Sequence, residues 1–351
     1  MPPSSIASPS LASHVSLSSL AARTPVPRPV APPPIGLHVR AELATGCGHR
    51  LAFAPDGRHW VAASTGTVHV WRDATQVATL RAPCAVTDRV RFSRDGKRLL
   101  LAPYAYDFAR AAWLDASPLA HRFAAPGAPP LDVAVHAAAW DLDGDALVVA
   151  AGLATPDMRA AGQLATRAVL LRGRLPFEIV TLCDDDRARR AIAIDDHHVA
   201  MAGYDIVIWS RGERRRVATL RGHDAPVLDL AWSADAARLA SIDGRGMLVI
   251  WDAARWLPRA HIQTSPQPGL AVAFHPARPI VATGGHDGVA RLWAIDDATG
   301  KLGLLAHHAL GAGVQALAFS PDGARLLAST HALPTRITLF ELSPRPGTLG
   351  A

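Results

Sequence analysis

The sequence predicts an all-β protein made of repeated units, a β-propeller, and three observations predict it. The 351 residues are 49% hydrophobic and include Gly 27 and Pro 28, enough apolar material for a core and enough turn formers for frequent chain reversals. Short apolar or β-branched runs end on a large residue at a steady interval, the signature of a repeat architecture. Each of these runs also follows a shorter strand and a tight turn, most often Asp-Gly, in which glycine takes a positive φ at little cost.

Residues 1–34 stand apart. They are rich in Ser, Ala and Pro, and the first acidic residue of the chain is Glu42. The segment has no continuous apolar stretch of the kind a secretory signal needs. Its Ser-rich, acid-poor composition, with Arg23 and Arg28, faintly resembles an organelle transit peptide, but a disordered tail is the expectation. Pro25-Val26-Pro27-Arg28-Pro29 favours polyproline II and reads as a stiff linker.

The repeat begins next. The closing runs are Val68 to Trp71, Ala111 to Trp113, Ile206 to Trp209, Leu248 to Trp251, Ala290 to Trp293 and Ile337 to Phe340. Their final residues lie 42, 96, 42, 42 and 47 apart, and the gap of 96 holds a further unit ending at Leu171. Seven units result. A second series fixes the register: Leu51 to Phe53 before Asp56-Gly57, Val90 to Phe92 before Asp95-Gly96, Ala138 to Trp140 before Asp143-Gly144, Leu230 to Trp232 before Asp235-Ala236, and Leu317 to Phe319 before Asp322-Gly323. Val272 to Phe274 precedes His275-Pro276-Ala277, and Ala191 to Ile194 precedes Asp195-Asp196.

These residues resemble the WD40-repeat family. Gly222-His223, Trp232-Ser233, Leu239-Ala240-Ser241 and Trp251-Asp252 follow its pattern in the fifth unit. Phe274-His275-Pro276, Val281-Ala282-Thr283, Asp287-Gly288 and Trp293 follow it in the sixth. The resemblance implies a seven-bladed β-propeller of four-stranded antiparallel blades, with the N-terminal strand closing the ring. Leu37 to Leu43, which alternates at period two, takes that closing role, because the last unit runs from Phe340 into Pro344 and Pro346. The expected organisation is a tail over 1–34, a propeller over 35–343 and a C-terminal tail over 344–351.

The family's repeat positions fall on Trp71, Trp113, Trp209, His223, Trp251, Asp287 and Trp293. In the family, His, Ser or Thr, Asp and Trp form a bonded tetrad inside a blade. Here the sixth unit has Asp287 without Gly-His, and the fifth has His223 and Trp251 with Arg245 at the offset of the Asp. Gly48-His49 stands too close to Phe53 to be in register. The expectation is therefore that no blade holds a complete tetrad, and that hydrophobic packing holds the blades together at roughly 1.5–3 kcal/mol per large buried side chain.

The chemistry visible in the sequence is sparse. There is no GxSxG, P-loop, HExxH or dinucleotide-binding fingerprint. Cys47, Cys84 and Cys183 have no metal-ligand spacing and read as reduced thiols of a cytoplasmic protein. The longest apolar run, Ala146 to Ala151, is far short of the ~20 residues of a membrane helix. His197-His198 and His307-His308 read as solvated histidines near turns, since adjacent strand residues face opposite ways. Asp184-Asp185-Asp186 is backed by Arg187, Arg189 and Arg190, so self-neutralisation is preferred to a metal site. No cofactor is expected.

The net charge of +6 first suggests a polyanion partner. However, the 36 basic residues are 34 Arg and 2 Lys, and Asn is absent, a skew more typical of a GC-rich genome. The Arg187–Arg190 and Arg211–Arg221 segments fall on opposite faces, without interleaved aromatics. The inner strand starts read as mostly apolar, with Asp132, Asp229 and Gln315 as exceptions. The leading reading is a non-enzymatic, cytoplasmic scaffold, a monomeric propeller within a complex, that binds a protein partner through long loops between second and third strands. These loops place Tyr104, Tyr106, Phe108 and Arg110 beside Met158 and Arg159, residue types enriched in interfaces. The alternatives are a lactonase- or peptidase-like hydrolase using the central channel, and a nucleic-acid or polyanion binder.

Overall fold

The computed structural model describes residues 35–45, 50–64, 66–82, 89–101, 104–114, 132–154, 165–172, 178–185, 191–332 and 334–344. They form a β-propeller of four-stranded antiparallel sheets. Sheet one contains β2 (Arg50–Phe53), β3 (His59–Ser64), β4 (Thr67–Arg72) and β5 (Thr75–Arg81). Sheet two contains β6 (Val90–Phe92), β7 (Arg98–Leu101), β8 (Tyr104–Asp107) and β9 (Ala112–Leu114). Sheet three follows as β10 (Asp132–Trp140), β11 (Ala146–Ala154), β12 (Ala165–Arg172) and β13 (Glu178–Asp185). Sheet four is β14 (Ala191–Ile194), β15 (His198–Ala202), β16 (Ile206–Ser210) and β17 (Arg215–Leu220). Sheet five is β18 (Val227–Trp232), β19 (Arg238–Asp243), β20 (Met247–Asp252) and β21 (Leu257–Gln263). Sheet six is β22 (Gly269–Phe274), β23 (Ile280–Gly285), β24 (Val289–Asp296) and β25 (Lys301–Ala309).

The last sheet joins the two ends of the described chain. β26 (Val314–Phe319), β27 (Arg325–Thr330) and β28 (Thr335–Pro344) take β1 (Ile35–Thr45) as their outer strand, with Leu37 opposite Leu342 and Leu43 opposite Ile337. Ile35 is buried against sheet six and sheet seven. β28 would otherwise present an open row of backbone donors and acceptors.

The turn between the first two strands of each sheet has a common construction. In sheets two, five and seven, Ser93, Ser233 and Ser320 donate to Asp95, Asp235 and Asp322, and accept the amides of Arg98, Arg238 and Arg325 at 2.9 Å. Gly57, Gly96, Gly144 and Gly323 have φ of 67°, 69°, 73° and 71°, and Ala236 takes 54° at the same place in sheet five. The arginine after the turn then reaches the next sheet: Arg98 to the Asp143 carbonyl, Arg238 to Asp297, and Arg325 to Asp73 and the Gly57 carbonyl.

Four expectations are corrected here. The first is the regular seven-bladed ring. Buried apolar clusters of described residues join neighbouring sheets at six junctions, from three through four, five, six, seven and one to two. Among the described residues no such cluster joins sheets two and three. There the contacts are polar or local, with the Arg94 amide on the Leu142 carbonyl and Gly144 against Leu100. Arg94 instead reaches past sheet three to Asp196 of sheet four, and Arg91 to the Ile194 carbonyl. The ring is uneven because the second and third units depart furthest from the repeat in length and in core residues.

The second correction concerns sheet two. Tyr104 to Asp107 is not a loop but the third strand, and Tyr106 sits opposite Leu99 as Trp71 sits opposite Trp60. Trp113 is therefore not the repeat position. It lies on the fourth strand, T-shaped to Tyr106, and its Nε1 donates to the Arg81 carbonyl of sheet one. The apolar sequence around Trp113 gave no means of telling third strand from fourth. Third, His307 and His308 lie within β25 rather than near a turn, since β25 is longer than the repeat average. Fourth, Arg211 is a buried strut and not part of an open basic patch, bonding Asp141 of sheet three and the Asp195 carbonyl. No helix is long and apolar enough to cross a membrane among the described residues.

Candidate functional site

The expected absence of a complete tetrad is also corrected. In sheet five, His223 Nδ1 lies 2.9 Å from Asp243 Oδ2 and Nε2 lies 2.6 Å from Ser241 Oγ, which accepts Trp251 Nε1 at 2.8 Å. The carboxylate comes from Asp243, two residues before Arg245, because the chain turns earlier than the offset assumed. Burial by itself would raise the Asp243 carboxyl. Bonds from His223 and from the amides of Met247 and Arg245 outweigh that effect and hold it below the usual carboxylate range. Sheet six keeps only part of the set, with Trp293 Nε1 on Thr283 Oγ1 at 2.8 Å, while Asp287 pairs with Arg291. Trp251 and Trp293 are buried. Trp71 is buried and stacked on Trp60, and Trp209 is half-buried against the sheet three–four cluster. These groups are structural: they fix strand order and leave no reactive atom exposed.

The set expected to meet a partner is dispersed. Tyr104 begins β8, and Tyr106 packs edge-on to Phe108 and Trp113 inside sheet two. Phe108 stacks on Phe92 and remains 37% exposed, beside Arg110, in the turn between third and fourth strands. That turn lies on the face opposite to the one expected. Met158, Arg159 and Arg187 to Arg190 lie outside the described residues. Asp184 and Asp185 lie on β13, and Asp186 lies outside the described residues. No group of three or more possible metal ligands occurs among the described residues. His197 and His198 serve packing instead, the His198 ring lying 5.8 Å from Trp232 and 5.1 Å from Trp256.

Sequence reasoning missed the channel. Its inner strands enclose a cavity of about 310 Å³ lined by Arg50, Arg89, Arg91, Asp229 and Gln315, with leucines and alanines between them. Arg89 bonds Asp229 and the Leu230 carbonyl across the channel, and Asp229 also accepts the Val272 amide at 2.8 Å. The repeat itself marks these arginines as departures. The residue before the last of the inner strand is Ala52, Ala139, Ala193, Ala231, Ala273 and Ala318 in six sheets, and Arg91 in sheet two. Three residues before that strand's end stand Ala137, Ala191, Ala271 and Ala316, against Arg50, Arg89 and Asp229. A position-by-position comparison of units was the signal that could have found them.

Comparison with known proteins agrees with the geometry. The family model described as WD domain, G-beta repeat matches residues 43–72, 214–252 and 260–294. Transducin beta-like protein 3 of Rattus norvegicus is 32% identical over 109 residues, covering 30% of this chain and 13% of that protein. Centriole proteome protein 16 of Chlamydomonas reinhardtii is 34% identical over 138 residues, covering 37% of this chain and 7% of that protein. Guanine nucleotide-binding protein subunit beta of Arabidopsis thaliana is 29% identical over 140 residues, covering 38% of this chain and 33% of that protein. The chain thus spans a third or less of these relatives. With repeats in three regions and WD-repeat relatives, the chain is a member of the WD40-repeat family.

Proposed function

We propose that the chain is a non-enzymatic scaffold that holds a protein partner, with the channel end bearing Arg50, Arg89 and Arg91 as its recognition surface. One observation carries this reading: three arginines stand in the channel where the repeat otherwise places alanine. Charged groups in a half-buried cavity cost desolvation that alanine would not, so a role beyond packing is called for. One relative is named as a subunit of a guanine nucleotide-binding protein, a name that belongs to a protein assembly. Separated cysteines support action in the cytoplasm. A polyanion reading fits less well, because the arginines line an enclosed cavity rather than an open stripe.

The test compares the immobilised full-length chain with two variants, Arg50→Gln with Arg91→Ala and Phe108→Ala with Arg110→Ala. Partners enriched by the wild type should be lost from the first and kept by the second, with melting curves unchanged within a few degrees. Retention by the channel variant and loss by the Phe108 variant would move the binding surface to the turn of sheet two. A captured set that is the same for all three would overturn the proposal.

A further inference from the structure

The channel holds two cavities, and their charges differ. In the cavity of about 310 Å³, the described charged residues are Arg50, Arg89 and Arg91 against Asp229, a net of +2. A second cavity of about 510 Å³ opens beside the turns between first and second strands. It has Arg89, Arg91 and Arg94 against Asp195, Asp196 and Asp235, a net of zero. Arg89 and Arg91 line both and form the partition between them. Anion preference is therefore confined to one end of the channel.

We propose that the smaller cavity binds one doubly charged oxyanion, the phosphate monoester of a phosphorylated side chain on a protein partner; this rests on the scaffold reading. The charge decides the ligand class. A phosphate monoester carries about −1.5 to −2 at neutral pH and balances the lining, whereas a carboxylate leaves one arginine uncompensated. The geometry supports it as well. Asp229 and the Leu230 carbonyl orient the Arg89 guanidinium. A guanidinium has five N–H donors in a planar fork, so one arginine can serve a protein acceptor and a phosphate oxygen together. The surrounding Leu51, Leu228, Leu270 and Leu317 keep the site weakly polar, which strengthens each charged contact. The volume lies at the small end of ligand pockets, suited to one side chain and too small for a nucleic-acid duplex.

Calorimetric titration of the full chain with inorganic phosphate, O-phosphoserine, glutamate and a single-stranded oligonucleotide, at matched ionic strength, tests the proposal. Phosphate and O-phosphoserine should bind saturably, and glutamate at least tenfold more weakly. Arg91→Ala installs the residue that six other sheets carry, and Arg50→Gln keeps a polar side chain of similar length. Each should weaken phosphate binding about tenfold or more, with a melting curve that certifies folding. No saturable phosphate binding, or binding unchanged in both variants, overturns the proposal. So does equal affinity for glutamate, and tighter binding of the oligonucleotide that is lost with Arg91 would assign the cavity to nucleic acid. Partner capture that survives phosphatase treatment but is lost in the channel variants would sink the phosphate site while leaving the scaffold reading intact.

Discussion

At the scale of the residue, His223 and Asp243 show how one buried pair ties stability to pH. Their side chains are 1% and 2% exposed. With Asp243 ionised, His223 Nδ1–H donates to it, and the Ser241 hydroxyl can donate to Nε2 while accepting Trp251. Because the carboxyl of Asp243 is held below its unfolded value, its contribution is complete above that unfolded value, near pH 4. It is lost as pH falls through the lower folded value. Urea midpoints measured between pH 7 and pH 2.5 should fall on the acid side in the wild type, and less steeply in Asp243→Asn. At pH 7 the same substitution should cost about 2–3 kcal/mol, since it weakens a charge-assisted, buried bond. Matching acid limbs in the two proteins would contradict this assignment. His275 makes a parallel case in sheet six. Burial lowers its pKa, helped by Arg278, and its Nδ1 accepts the amides of Ala277 and Arg278 at 3.1 Å. There the imidazole does what Asp95 and Asp322 do in the other turns.

The element whose placement matters most is β1. It runs antiparallel to β28 from Ile35 opposite Pro344 to Thr45 opposite Thr335, with one irregularity between Val39 and Ala41. Ile35 is buried, and Leu37 and Leu43 pack against sheet-six, sheet-seven and sheet-one clusters. A fully buried side chain of this size is worth roughly 1.5–3 kcal/mol, and removing the strand also exposes an edge. A chain that starts at Ile35 should melt close to the full-length protein, whereas one that starts at Gly46 should melt several degrees lower and aggregate more readily. Equal melting temperatures would show that β1 does not close the ring. The period-two pattern of Leu37 to Leu43 made this strand legible in the sequence. The third strand of sheet two was not legible, because Tyr106 and Trp113 both end short apolar runs. Only the pairing of Tyr106 with Leu99 separates them.

For the whole molecule, the uneven ring sets where the fold opens first. Sheets five and six share a cluster that includes Ile242, Leu248, Ile250 and Trp293. Sheet two shares an apolar cluster with sheet one alone among the described residues, and its links onward are through Arg94 and Arg98. Exposed ion pairs contribute little compared with buried apolar area. Local opening follows such differences in packing, so backbone amides of β6 and β7 should exchange with solvent faster than those of β22 and β23. Hydrogen exchange read by mass spectrometry checks this, and equal protection would mean that the polar links do the work of a core.

Local pattern by itself determined the β class, the repeat and most of its register, because strand periodicity and Asp-Gly turns are properties of neighbouring residues. It also located Trp71, Trp209, Trp251 and Trp293. Only the tertiary structure decided that Asp243 completes a tetrad with His223, 20 residues away. Only the tertiary structure brought Arg89, before β6, against Asp229, 140 residues on. Contacts of that kind depend on where closure of the ring places each inner strand, and a charge facing the channel carries no periodicity to announce it.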